Sequence, residues 1–244
     1  MELREKLKDP DYKSVVTDLF SQAIVGEIIG MKNFATICSI IDDYDEAMEA
    51  SEHSNGERMH AEGFLHMAKE YGLDVNINLE GIYWKSIRDK VIGYGNDKDF
   101  VACFIVQEVM LEAYAVSMYT DIGDSLPGKA GALFLAIAEE EKSHLDHAVE
   151  VLRKEYEQHG DAFIAKVETI HYDCMTILAE WSSKTDPKGH CGVCNDTCMK
   201  ESLPLVELDI KELRGNALQL YVKKLDEIGI PGELTLPWIV NLPA

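Results

Sequence analysis

One polar pattern, written twice, constrains this chain more than anything else in it. Glu27 precedes Glu57-x-x-His60, and Glu112 precedes Glu141-x-x-His144. The separation from Glu27 to Glu57 matches that from Glu112 to Glu141 to within one position, and both second glutamates begin the same Glu-x-x-His. The surroundings of these residues are apolar at helical spacing. Phe20, Ala23, Ile24, Met31, Phe34 and Cys38 lie at offsets −7, −4, −3, +4, +7 and +11 from Glu27, which puts Glu27 inside a buried stripe. Ile105, Val109, Ala115, Val116 and Tyr119 flank Glu112 in the same way, and Phe64 and Met67 continue the face of Glu57 and His60. An unpaired carboxylate in such a stripe costs on the order of several kcal/mol or takes up a proton. A metal ion or a cationic partner removes that cost.

The stretch "AEEEKSHLDH" (138–147) offers three glutamates, and helical geometry separates them. With His144 at 0° and about 100° per residue, the apolar arc of Phe134, Ile137, Ala148, Val151 and Leu152 contains Glu141, leaves Glu140 at its margin and turns Glu139 to water. Glu141 is therefore the expected ligand. A lone Glu-x-x-His is common on ordinary helices. Two at matched spacing, each preceded by a glutamate in an apolar stripe, are hard to obtain by accident. Four glutamates and two histidines are the ligand set of carboxylate-bridged di-iron or di-manganese bundles, and hard carboxylates with imidazoles suit iron or manganese. Each half would give one terminal glutamate, one bridging glutamate and one histidine.

Helical periodicity covers most of the chain, near 11–41, 45–72, 98–121, 128–158, 160–182 and 203–228. No convincing strand is present; "DVNINL" alternates but has no partner run. Residues 73–97, including the helical piece "IYWKSIRDKVIG", are long enough for the crossover of a ferritin-like bundle. The fold expected is all-α, a ferritin-like four-helix bundle with additional C-terminal helices. It forms one domain over 1–244 with a Cys-rich loop insertion at about 183–200.

The formal net charge of −21 argues against nucleic acid, whose phosphates need clustered Lys and Arg. No apolar stretch runs uninterrupted to the ~18–20 residues of a spanning helix, so a membrane-spanning chain is not expected. The charged start "MELREKLKDPDYKS" has no apolar signal core, which makes a cytoplasmic location the expectation. Cys38, Cys103 and Cys174 read as small core residues. His190, Cys191, Cys194 and Cys198 in "GHCGVCNDTC" leave three readings open: a zinc site, a redox dithiol or a plain loop.

The segments "GERMHAEGF", "VQEVMLEAYAVSMY" and "EEEKSHLDH", with the C-terminal "ALQLYVKKLDEIGIPGELTLPWIVNLPA", resemble the aldehyde-deformylating oxygenases, also called fatty aldehyde decarbonylases. The likeness covers roughly 15–158 and 215–244. It implies a di-iron enzyme with Glu27, Glu57, His60, Glu112, Glu141 and His144 as metal ligands, and Gln107 and Tyr119 along a substrate channel. Phe20, Ile24, Met31, Phe34, Met67 and Val116 would be further channel candidates. The implied reaction converts a long-chain aldehyde and O2 into a hydrocarbon one carbon shorter plus formate, with electrons from ferredoxin and its reductase. The same ligand set would also serve a rubrerythrin- or ferritin-like peroxide scavenger or iron-oxidising protein. Docking of an acidic ferredoxin would need a local basic patch, for example Lys85, Arg88 and Lys90.

Three features depart from the family pattern: no cysteine soon after Glu57-x-x-His60, Glu108 in place of a small polar residue, and the Cys-rich insertion. Glu108, one turn before Glu112, is an extra ligand, a supporting acceptor or an edge residue. His53 and His147 read as surface or supporting residues. Asp146 points away from the stripe, and His171 and Cys174 read as core.

Overall fold

The computed structural model describes residues 2–183, 194 and 198–242. After a single helical turn at Leu3–Lys6, the chain forms α1 (Pro10–Ile40), α2 (Tyr44–Tyr71) and α3 (Ile82–Asn96). Next come α4 (Phe100–Ser125), α5 (Lys129–His159) and α6 (Asp161–Ser183). Single turns at Met199–Ser202 and Leu203–Val206 precede α7 (Ile210–Ile228) and α8 (Gly232–Val240). No strand occurs among the described residues. Local chemistry sets the helix starts. Asp9, Asp43, Asp99 and Asp209 each cap a helix by accepting from backbone N–H groups of its first turn, and Pro10 follows its cap at the first helical position. Gly72 closes α2 in the left-handed conformation, with φ 65°.

The bundle is two helical hairpins, α1–α2 and α4–α5, joined by the crossover that carries α3. Each hairpin turns through a short link, 41–43 or 126–128. The links position the pattern read from the sequence. Glu27 on α1 and Glu57 on α2 are equally far along their helices from the first link. Glu112 on α4 and Glu141 on α5 are equally far from the second to within one position. At 1.5 Å per residue, all four carboxylates stand about 20 Å from their link, at one level of the bundle. Two apolar clusters flank that level. One gathers Phe34, Phe104, Val109, Leu145 and Leu152, and the other gathers Phe20, Ile24, Phe64, Phe134 and Ile137.

The expected crossover and C-terminal helices are present: α3 packs on α1 and α6, and α7 on α4 and α5. By length and composition alone, α1 and α4 would pass as membrane spans. Their apolar windows are 50% and 72% buried inside the bundle, as core helices of a packed domain are. The segment expected to be a Cys-rich loop falls mainly outside the described residues, His190 and Cys191 included; Cys194 and Cys198 are buried.

Candidate di-metal centre

In α4 the α-helix gives way to a π-helical stretch over Ile105–Leu111, immediately before Glu112. Such wide turns recur at functional sites. In an unbroken α-helix, residues five apart point about 140° away from each other. Here Gln107 Nε2 donates to Glu112 Oε1 at 2.7 Å across that spacing. The wide turn is what brings Gln107, Glu108 and Glu112 to the interior together, all at most 2% exposed.

The six residues of the repeated pattern converge. Glu27, Glu57, His60 and Glu141 form one group whose ligand atoms all lie within 4.8 Å of one another; Glu57, Glu112, Glu141 and His144 form another. Glu57 and Glu141 belong to both, one from each hairpin. Glu141 faces the two histidines with different oxygens: Oε1 lies 2.9 Å from His60 Nδ1, and Oε2 lies 2.7 Å from His144 Nδ1. Neither contact has hydrogen-bond alignment, and both Glu141 oxygens, Glu57 Oε1 and His144 Nδ1 are buried without a hydrogen-bond partner. Close donor atoms that fail to point at one another are what ligands of a common ion present. Glu27 Oε2 lies 3.1 Å from His60 Nδ1, and Glu57 Oε1 lies 3.6 Å from His144 Nδ1.

Electrostatics agree with this arrangement. Burial, with the carboxylates of Glu141, Glu112 and Glu27 nearby, pushes Glu57 well above the usual carboxylate range. Burial and Glu141 do the same to Glu112. Glu27 is also raised by burial, against the pull of His60. Burial would raise Glu141 too, but the His144 and His60 imidazoles outweigh it and hold it low. Four ionised carboxylates with two neutral imidazoles carry four negative charges, and two divalent cations cancel them. The donor set thus fits a pair of iron or manganese ions.

Supporting contacts orient these candidate ligands. Tyr119 donates its phenol proton to Glu27 Oε1. Asn33 Nδ2 donates to Gln107 Oε1 at 2.7 Å, which fixes the amide that holds Glu112. Glu140, at the margin of the helical arc, belongs to neither ligand group. Its Oε2 lies 2.9 Å from His60 Nε2, so it braces the outer face of the ring that presents Nδ1 inward. Glu139 is exposed and pairs with Lys142, and Asp146 pairs with Lys224 at the surface. Gly30 stands opposite Glu57, where a Cβ would collide with the Glu57 carboxylate. Asn33, Glu140 and Gly30 escape sequence reading because their roles exist only across helices. The nearest signal is Asn33, a polar residue amid an apolar helix.

A largely apolar cavity opens from Glu27, Glu57, Glu112 and Glu141, passing Gln107 and Tyr119. Leu19, Ala23, Ala115, Met118 and Ile122 line it, together with Trp84, Leu178, Trp181, Leu213 and Arg214. Phe20, Ile24, Phe34, Met31, Met67 and Val116 do not line it; Phe20, Ile24 and Phe34 are wholly buried in the apolar clusters, because they face neighbouring helices.

A sequence model of the family described as long-chain fatty aldehyde decarbonylase matches residues 10–171. The chain belongs to this family. Among solved structures it is similar to a Synechococcus protein described as protein 19 with aldehyde deformylating oxidase activity. The TM-score is 0.83 at 16% identity, over 98% of this chain and 99% of that one. At that identity the likeness establishes the fold, a ferritin-like helical bundle. All six residues of the repeated pattern lie within the part that matches the decarbonylase family. Leu178, Trp181, Leu213 and Arg214, which also line the cavity, lie beyond it.

Proposed function

We propose that the chain is a non-haem di-iron oxygenase that converts a long-chain aldehyde and O2 into a hydrocarbon one carbon shorter and formate. The observation that carries this reading is the pair of ligand groups sharing Glu57 and Glu141, opening directly into an apolar cavity. Two iron ions bound by Glu27, Glu57, His60, Glu112, Glu141 and His144 would supply redox exchange with O2 and Lewis acidity toward the carbonyl. Manganese fits the same donors. With formate counted as its acid, atom balance requires four electrons and four protons per aldehyde, the remaining oxygen leaving as water. An external electron donor such as ferredoxin is therefore part of the proposal. The face suggested for it is not a bare basic patch: Lys85 pairs with Asp89, Arg88 with Glu80 and Asp89, and Lys90 with Asp173.

The protein's own groups position the ligands and shape the cavity. Tyr119 and Gln107 hold the terminal carboxylates Glu27 and Glu112 in place. The apolar wall accepts the alkyl chain and keeps bulk water from the ligands. Family membership supports an aldehyde as the substrate. A peroxide scavenger built on the same ligands would have no use for an apolar cavity of this kind, which favours the oxygenase.

The test is aerobic incubation of the iron-loaded chain with a long-chain aldehyde, ferredoxin, its reductase and NADPH, with hydrocarbon and formate quantified. Both products should appear in equal amounts and vanish in Glu57→Ala. Rapid peroxide turnover without hydrocarbon would replace this reading with the scavenger.

A further inference from the structure

A third group of ligating side chains lies beside the paired centre and shares no residue with it: His53 on α2, Glu108 in the π-helical stretch and His147 on α5. We propose that these three residues bind a third divalent transition-metal ion. The two imidazoles turn the same atom inward. His147 Nδ1 lies 3.2 Å and His53 Nδ1 4.0 Å from Glu108 Oε2. Ligands around one ion with bonds of about 2 Å stand roughly 3–4 Å apart, so the spacing is that of a ligand shell.

The outer ring nitrogens strengthen the case. His147 Nε2 lies 3.0 Å from Glu46 Oε2, and His53 Nε2 lies 3.4 Å from Glu49 Oε1. Both rings thus have a carboxylate behind them and Nδ1 in front, the arrangement that fixes the tautomer of a metal-binding histidine. A protonated His147 between Glu46 and Glu108 is the competing arrangement. It leaves two deeply buried polar atoms unpaired. Glu108, fully buried, has no partner at Oε1, and His53, 6% exposed, has no hydrogen bond at Nδ1. One ion on Nδ1 of both histidines and the Glu108 carboxylate satisfies both.

Two imidazoles with one carboxylate suit Zn²⁺ or Fe²⁺, not the all-oxygen shells of Ca²⁺ or Mg²⁺. The site lies between the partly exposed Glu46 and the paired centre, where the His53 ring meets that of His144 with centroids 4.0 Å apart.

Zn²⁺ titration of the metal-free full-length chain, with metal counted after desalting and anomalous diffraction at the zinc edge, tests this. Three ions per chain are expected, with one peak between His53, Glu108 and His147. His147→Gln and Glu108→Gln should each lose that peak and keep the two beside Glu57 and Glu141. If either misfolds by circular dichroism, His53→Ala serves in its place. A wild-type chain with no peak at this position overturns the proposal, as does a third ion unmoved by all the variants. A single ion per chain that vanishes in His147→Gln would uphold this site while refuting the paired centre, so the two readings fail separately.

Discussion

Gly30 shows how a residue with no side chain shapes this centre. The Glu57 carboxylate occupies the space a Cβ would take on α1. Gly30→Ala should therefore displace Glu57, which belongs to both candidate ligand groups, and cost about 1–3 kcal/mol through overpacking. The expected outcome is a lower melting temperature together with reduced iron content, read by calorimetry and elemental analysis on one preparation. His171 makes the opposite kind of demand. It is wholly buried, accepts from the Tyr221 hydroxyl at Nδ1 and donates to the Trp238 carbonyl from Nε2. Burial lowers its pKa to about 4. Between that value and about 6.5 the unfolded chain binds the extra proton, so stability falls as pH drops through this window. The loss amounts to about 3 kcal/mol by pH 4. Metal-free His171→Gln should show a shallower fall than the metal-free wild type in urea melts across that window. His171 and Cys174 are legible as core from the sequence because a shared apolar face is a local property. Gly30 and Glu140 are not, because what they touch belongs to helices far away in sequence.

At the scale of the element, α4 is the informative case. Periodicity locates the helix and Glu112, since residues after Leu111 keep ordinary α spacing. It misses the π-helical stretch, because "IVQEVML" is apolar enough to read as any buried helix. A wide turn absorbs one extra residue, so the helix on either side of it keeps its facing. Deletion of Val109 should therefore leave a folded chain with its paired centre, losing about 2 kcal/mol of side-chain burial. Deletion of Ser117, in plain α-helix, should turn the helix by about 100° and abolish both folding and metal content. Circular dichroism melts with metal analysis separate the two. The wide turn also explains why Glu108 is undecided from sequence. Its inward position and its contact with His147 depend on a helix geometry that no spacing rule anticipates.

The molecule as a whole divides its labour. The six-residue pattern lies in the span matched by the family, while part of the cavity wall comes from residues beyond it. Trp181 lines the cavity without belonging to either ligand group, so Trp181→Ala should enlarge the cavity, shift the accepted aldehydes toward bulkier chains and leave metal content unchanged, which a substrate profile of products with elemental analysis would check. The hairpins are legible because short links and a repeated ligand pattern leave little freedom of arrangement. The cavity wall is not, because it is assembled from α1, α3, α4, α6 and α7. Removing the metals should destabilise the chain by about 3 kcal/mol per ion at a hundredfold excess over its dissociation constant, visible as a drop in melting temperature with chelator. The equal arms of the two hairpins give that drop a mechanical meaning. Each hairpin brings only three of the six proposed ligands, so ions bound there would act as a clasp between halves that are otherwise tied by the crossover and packing. A chain nicked by protease near residues 74–78 should stay in one piece while the clasp is closed and come apart more readily once it is opened.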